Sequence, residues 1–406
     1  MYSESQLIAI ARRENNNKRN YLVINKLQGK HIPAVPSKAL KMFYELAELI
    51  KKEYAQERLL IIGFAETATA IGAVLAVCTD SLYIQTTREN VKGAAYLYFT
   101  ESHSHATEQR LVRESFESAL DRIDRIVFAE DEITTGNTIL NIVNVIKKEF
   151  HVKISFSAAS IINSMDKEAE RTYKEQNISC HYLLKTNHEI YGRWVERFKI
   201  DGTYVGLIKD LEGVRWNTNI FELEADGYQN ARCITKGKEY QNACEKLWQQ
   251  IKTEFFRSPS KIDKTEKFKK NAEQILASVN PAESNRVSNT NKSGKILVLG
   301  TEEFMYPALY AAFKMEEMGY DVKFHATTRS PIIVSDSYAY PLHEKFDLRS
   351  LYDKDRVTYI YELDRYDKVF IITDAQKRQT DGISSLVNAL KSRGNTNISI
   401  VRWCRA

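Results

Sequence analysis

The segment RIVFAEDEITTGNT, residues 125–138, carries the densest chemistry in the chain. An apolar strand delivers two adjacent carboxylates, Glu130 and Asp131. A loop of small residues, Thr134, Thr135, Gly136, Asn137 and Thr138, then opens an amphipathic helix with Ile139, Leu140, Ile142, Val143 and Ile146. A helix N-terminus offers unpaired N–H groups and the positive end of the helix dipole, so this loop suits a phosphate. The carboxylates repel phosphate but accept hydrogen bonds from vicinal sugar hydroxyls beside it. A ribose 5-phosphate satisfies both halves. A plain surface turn capped by Thr138 would account for the loop, yet it leaves the paired acids at the end of a buried strand without a partner.

Three other segments bear on the same chemistry. IIGFAETATAIG places Gly63 and Thr67 to Ala70 at a second helix N-terminus, suited to another anion or to plain strand–helix packing. YIQTTREN ends in Arg88, which can fork onto a phosphate or simply stand solvated at a strand end. The loop Glu101 to Arg110 is a candidate lid by position and carries His103 and His105. Those histidines could bind pyrophosphate when protonated, shuttle a proton or ligate a metal, although two ligands with no nearby Cys make a poor metal site. A solvated polar loop is the simpler reading. Gly29, Lys30 and His31 suit either a hood over an acceptor base or a connection fixed by Pro33 and Pro36.

Strands and helices must alternate to position these loops. Strand patterns at 59–62, 81–86, 125–130 and 151–162, with helical patterns between them, predict a parallel α/β sheet whose ligands lie at the strand C-terminal ends. Beyond residue 190 the pattern loosens to about 235. Two charged amphipathic helices follow, Ala243 to Phe256 and Ile262 to Val279, and then the linker NPAESNRVSNTNKSG, 280–294. A fresh α/β pattern opens at GKILVLG. The expected division is 1–235, 236–294 and 295–406.

That last unit repeats the first. GFAETATAIGAVLA matches GTEEFMYPALYAAF, with Glu66 against Glu303, TTREN matches TTRSP, and RIVFAEDE matches KVFIITDA, with Asp131 against Asp374. Gly63 to Arg88 is 25 residues and Gly300 to Arg329 is 29; Arg88 to Asp131 is 43 and Arg329 to Asp374 is 45. The copy lacks a second adjacent acid and the small-residue loop. Arg329, Ser330 and Asp374 are left as a candidate anion site, with a binding, regulatory or acceptor-handling role expected.

Composition bounds the function. The chain has 406 residues, 43% hydrophobic and 27% charged, and 58 Lys plus Arg against 53 Asp plus Glu leave a net +5. That excess is too small to mark a nucleic-acid binder. Only 16 Gly and 7 Pro mean mostly regular structure, and five scattered cysteines with no CxxC pair fit a reducing cytoplasm. The apolar stretch 59–78 holds Glu66 near its middle, which argues against a membrane span.

Together these motifs resemble the phosphoribosyl-pyrophosphate (PRPP) motif of type I phosphoribosyltransferases, orotate phosphoribosyltransferase among them. The resemblance implies Glu130 and Asp131 for the ribose hydroxyls and, with PRPP, for Mg²⁺. It implies Thr134 to Thr138 for the 5-phosphate, and Glu66, Thr67, Ala68, Thr69, Ala70 and Arg88 for pyrophosphate. Glu132 departs from the usual apolar residue and bears on metal binding. LQGKHIP, GFAETATAIG, TTREN and SHSHATEQ, with Thr328, Arg329, Ser330 and Pro331, look like the specialised phosphoribosyltransferases that carry a C-terminal TRSP domain. Those are associated with bacterial tellurite-resistance-type stress operons. The implied fold is the parallel-sheet α/β fold of type I phosphoribosyltransferases followed by a divergent α/β domain. The implied activity is Mg²⁺-dependent ribosyl transfer from PRPP to a base-like acceptor, toward a nucleoside-like metabolite, with a homodimer expected. A non-catalytic PRPP- or nucleotide-binding regulator is the alternative.

Overall fold

Fully buried apolar runs decide the centre of each sheet, because a strand covered on both faces reads as continuous hydrophobic sequence. A computed structural model describes residues 2–14, 19–99, 109–207, 219–256, 294–377 and 380–404. The first part of the chain contributes α1 (Glu4–Leu7), β1 (Ile8–Arg12), β2 (Tyr21–Asn25), α2 (Pro36–Glu53), β3 (Leu59–Gly63), α3 (Thr69–Thr79), β4 (Leu82–Gln85), β5 (Tyr96–Tyr98) and β6 (Arg110–Val112). It continues through α4 (Arg113–Glu117), β7 (Arg125–Ile133), α5 (Asn137–Phe150), β8 (Ser155–Asn163), α6 (Lys167–Glu175), β9 (Ile178–Lys185) and α7 (Tyr191–Val195). Then come β10 (Thr203–Val205), β11 (Asn219–Glu224), β12 (Thr235–Lys236) and α8 (Gly237–Phe256). The C-terminal part adds β13 (Lys295–Gly300), α9 (Tyr306–Glu317), β14 (Asp321–Ala326), β15 (Glu344–Arg349), β16 (Val357–Tyr361), β17 (Lys368–Thr373), α10 (Thr380–Ser392) and β18 (Asn397–Arg402).

The first sheet runs β12-β4-β3-β7-β8-β9, parallel except at β12. Its register brings the chemistry together. Gly63 at the end of β3 stands opposite both Gln85 of β4 and Ala129 of β7. The loops that follow these three strands therefore leave the sheet at one level, which places residues 64–70, 86–89 and 130–136 side by side. Helix α3 approaches β3 closely because neither has a side chain at the crossing: a Cβ on Gly72 would lie 2.7 Å from Gly63 Cα.

The second sheet runs β11-β18-β17-β13-β14 and is parallel throughout. Its core order β14-β13-β17-β18 is that of β4-β3-β7-β8. The copied loops share their bonds as well. Thr86 N–H donates to Gly63 O at 2.9 Å and Thr327 N–H to Gly300 O at 3.2 Å. Ala65 N–H donates to Thr86 Oγ1 at 2.7 Å, and Glu302 N–H to Thr327 Oγ1 at 3.0 Å. The repetition read from spacing is thus also a repetition of topology.

Two features depart from the sequence reading. β1 and β2 form an antiparallel hairpin; the sequence from Tyr21 reads as the start of a strand, whereas that of β1 does not. Residues 203–205 and 219–224, assigned to the first unit, join the second in space: β10 pairs with β15, and β11 is the edge strand beside β18. Short polar strands such as these gain their stability from a distant partner, which local pattern does not reveal. The linker at 280–294 falls outside the described residues up to 293, and so does the helix expected at Ile262 to Val279. A single apolar cluster runs through both units, with Leu46 of α2, Ile71 of α3, Leu247 of α8 and Leu309 of α9 all fully buried.

Candidate active site

The acid pair stands at the end of β7, where the strand leaves the core and burial becomes partial. Thr67 Oγ1 donates to Asp131 Oδ1 at 2.7 Å, tying the β3–α3 loop to the pair. Among the described residues the Glu130 carboxylate has no side-chain partner, and its one hydrogen bond is from the Asp131 backbone. Burial, and then the charge of Asp131, push the Glu130 carboxyl well above the usual carboxylate range, with Arg88 pulling the other way. Burial raises Asp131 too, moderated by the Thr67 bond. Neither carboxyl has a cation in contact among the described residues, and once ionised each is free to accept from a donor that arrives from outside.

Glu132 behaves differently. Arg19 Nη2 reaches both its oxygens, at 2.8 and 2.9 Å, and His188 Nε2 lies 3.3 Å from Oε1. The N-terminal hairpin therefore matches the extra carboxylate with its own cation, and Glu132 is engaged away from any metal held by the pair.

The loop after the pair ends on Gly136, whose φ of 71° lies in the left-handed region. A Cβ there would sit 2.4 Å from Tyr173 Oη, which donates to Gly136 O at 2.8 Å. Gly136 is the N-cap of α5, and no side chain caps that helix. Thr138, the capping residue of the plain-turn reading, lies inside the first turn instead. The N-terminus is left with amide groups unclaimed by any side chain, as an anion site requires.

The β3–α3 loop is built the same way. No side chain caps α3. The N–H groups of Glu66 and Thr67 donate to nothing among the described residues. Thr69 Oγ1 donates to Glu303 O at 2.9 Å, and Ala68 and Ala70 are buried. The Glu66 side chain turns away from the cradle. Its Oε1 lies 2.8 Å from Lys30 Nζ and accepts from Arg329 N–H at 3.1 Å. Burial alone would raise Glu66, but the Lys30 ammonium and the Arg329 guanidinium outweigh it and hold the carboxyl at about 2. What this loop offers a ligand is backbone amide, with Glu66 fixing its shape.

Arg88 ends β4 in the opposite condition. Its backbone N–H donates to Glu303 Oε1 at 2.6 Å. Its guanidinium forms no ion pair among the described residues, and its Nε is buried without a hydrogen-bond partner. Burial, followed by the nearby Arg329, lowers its pKa. A half-buried cation with no carboxylate in contact, although Glu66 and Glu303 lie nearby, suits an anion.

Gly29, Lys30 and His31 do not line an open pocket. Lys30 is fully buried, with Nζ donating to Glu302 O and Thr327 O at 2.8 Å each besides its pair with Glu66. His31 is 3% exposed, and burial holds its imidazole neutral with a pKa of about 3. These three residues close the boundary between the two units, and the expected acceptor hood is not formed by them. His103 and His105 lie outside the described residues.

In the second unit, Asp374 is enclosed. Arg232 Nη1 lies 2.5 Å away, and the hydroxyls of Tyr352 and Tyr228 donate at 2.6 and 3.0 Å. Arg329 instead faces Glu302 at 2.8 Å and Glu89, while Ser330 N–H bonds Thr328 Oγ1 at 3.2 Å. Arg329, Ser330 and Asp374 therefore do not converge on an open anion site, because Arg232 and the tyrosines fill the place of the missing loop. Neither Arg232 nor Arg19 was legible in sequence, since Arg232 reaches Asp374 across 142 residues and Arg19 reaches Glu132 across 113.

No curated protein matches this chain significantly. It is similar to solved structures of adenine phosphoribosyltransferase from Rhodothermus marinus (17% identity, 45% of this chain and 96% of that one, TM-score 0.30). It is also similar to the Trypanosoma brucei adenine enzyme in complex with AMP, pyrophosphate and ribose-5-phosphate (14%, 45% and 77%, TM-score 0.32). A third is orotate phosphoribosyltransferase from Aeropyrum pernix (15%, 37% and 72%, TM-score 0.26). The family model described as phosphoribosyl transferase matches residues 7–192, and the TRSP domain model, described as C-terminal to it, matches residues 263–390. Residues 7–192 thus carry the sequence pattern of phosphoribosyl transferases, and residues 263–390 that of the TRSP domain found C-terminal to them.

Proposed function

We propose that this chain transfers the 5-phosphoribosyl group of PRPP to a base-like acceptor in the cytoplasm and releases pyrophosphate. One observation carries the site assignment: Arg88 is a half-buried cation with no carboxylate in ion-pair contact among the described residues, at the same sheet level as two helix N-termini without side-chain caps and an acid pair with no cation in contact. A ligand bearing phosphate at one end, pyrophosphate at the other and vicinal hydroxyls between them supplies every missing partner at once.

The roles follow from that arrangement. The amides and hydroxyls of Thr134 to Thr138 bind the 5-phosphate, and Glu130 and Asp131 accept from the ribose hydroxyls. The 64–70 loop and Arg88 hold the pyrophosphate. The C1–O bond breaks with its electron pair leaving on pyrophosphate, an acceptor nitrogen forms the new bond to C1, and the acceptor's proton passes to solvent. Stabilising the departing negative charge is the larger part of the catalysis, and Arg88 is placed for it. No group of three or more His, Cys, Asp or Glu able to hold a metal converges among the described residues. Glu130 and Asp131 still offer hard oxygen donors, which fit a Mg²⁺ that keeps substrate oxygens and water as its other ligands. Bound there, Mg²⁺ would neutralise pyrophosphate charge. The TRSP domain supports placing the product as a nucleoside-like metabolite of a bacterial stress response, as that domain's resemblance implies.

The test is pyrophosphate release from PRPP with Mg²⁺ across a panel of purine, pyrimidine and related bases. Release dependent on one class of base is expected. Tight PRPP binding with no release in any mixture would replace the transferase reading by that of a regulator.

A further inference from the structure

The two copied units bind each other through the same residues in both directions. Glu303, three residues after the glycine of the second copy, accepts from Arg88 N–H at 2.6 Å and from Thr87 Oγ1 at 2.8 Å. Glu66, three residues after the glycine of the first, accepts from Arg329 N–H at 3.1 Å and is bonded by the Thr328 hydroxyl. Each loop glutamate thus clasps the Thr–Arg turn of the other unit. The TRSP tetrapeptide also runs on past the hairpin, where Glu14 N–H donates to Pro331 O at 3.1 Å.

The two arginines of this exchange are in opposite states. The Arg88 guanidinium has no carboxylate among the described residues. Arg329 is surrounded: its Nε lies 2.8 Å from Glu302 and 3.4 Å from Glu66, and its Nη2 pairs with Glu89 and lies 3.5 Å from Glu303. Its side chain is 9% exposed. Two of these carboxylates flank the first unit's pyrophosphate loops, Glu66 in the β3–α3 loop and Glu89 just after Arg88. The other two belong to the second unit. With its charge spent on four carboxylates, Arg329 is poorly suited to bind an anion, and well suited to fix the loops that do.

We propose that Arg329 of the TRSP tetrapeptide is a positioning residue of the first unit's site, acting across the domain boundary to hold the pyrophosphate loops in their binding geometry. The TRSP domain is then part of the pyrophosphate subsite's construction. This rests on the phosphoribosyl reading and adds a role for the second domain that the reading does not require.

The experiment is calorimetric titration of the full chain with inorganic pyrophosphate plus Mg²⁺, and separately with ribose 5-phosphate, in wild type, R329Q, R329K and E303Q. R329Q is expected to weaken pyrophosphate binding by about tenfold or more, as loss of positioning does. Ribose 5-phosphate, held by the acid pair and the 134–138 loop, which Arg329 does not touch, should weaken far less, by about threefold at most. E303Q, which loosens the Arg88 turn without removing a cation, should weaken pyrophosphate in the same selective way, and R329K should restore part of the loss. In turnover the KM for PRPP should rise more than kcat falls. Equal loss of both ligands together with a lowered Tm would show a merely structural residue and overturn the proposal, as would unchanged pyrophosphate affinity in R329Q and E303Q. Wild-type protein that binds neither ligand would overturn the phosphoribosyl reading itself, and this proposal with it.

Discussion

Among the site residues, charge balance separates the groups that build the site from those left for a ligand. Glu66, Glu132, Glu303 and Asp374 each have a cation within 3.5 Å, whereas among the described residues Arg88 has no carboxylate, and Glu130 and Asp131 no cation, in ion-pair contact. The pair's raised pKa has a measurable consequence. In the empty protein Glu130 and Asp131 hold protons above the usual carboxylate range, because burial and, for Glu130, mutual repulsion favour the neutral form. Ribose hydroxyls need the charged form as acceptor, so binding releases protons and affinity for ribose 5-phosphate rises as pH climbs through the raised values. Asp131→Asn should weaken that ligand by about ten- to a hundredfold, the worth of a hydrogen bond to a charged group, and flatten the profile. Titration calorimetry over a pH series checks both. An unchanged profile in the variant would remove Asp131 from the site. The acid pair was legible in sequence because consecutive carboxylates after an apolar run are costly without partners. The turning of Glu66 and Lys30 toward the second unit was not legible, because a loop residue's type does not say which way it faces.

At the scale of the elements, function depends on helix ends that the fold leaves uncapped. Gly136 lets α5 begin directly behind the acid pair while Tyr173 closes over its carbonyl. Gly136→Ala would force a Cβ into a left-handed residue and against Tyr173 Oη at 2.4 Å. We expect a loss of about 1–3 kcal/mol in stability from that strain and overpacking, with weaker binding of ribose 5-phosphate. Urea unfolding and calorimetry measure the two, and a variant of wild-type stability would show that the loop has another way to turn. Most of the strands and helices from β2 to β9 were readable from periodicity, since each buries a recognisable face or run; β6 was not, because its segment reads as a polar loop leading into a helix. β1, β10 and β11 were not. β1 pairs only with β2, and β10 and β11 find their partners 141 and 178 residues away, at Glu344 and Asn397. No local signal encodes such pairings.

For the molecule as a whole, a duplicated fold has kept one chemistry-bearing end and filled the other. The repeat was visible in the paired TTR segments and their spacing, and the strand orders repeat it. That the copies face each other, with Lys30, Glu66, Arg329, Glu302 and Glu303 locked between them, needed three dimensions. The central claim is that one PRPP site exists per chain, in the first unit, centred on the unpaired Arg88 and the acid pair. Calorimetric titration of the full chain with PRPP and Mg²⁺ tests it most directly. The account predicts a single PRPP per chain, and a loss of binding of about a hundredfold in Arg88→Gln with the fold intact. Two equivalents per chain, or undiminished binding in Arg88→Gln, would contradict it.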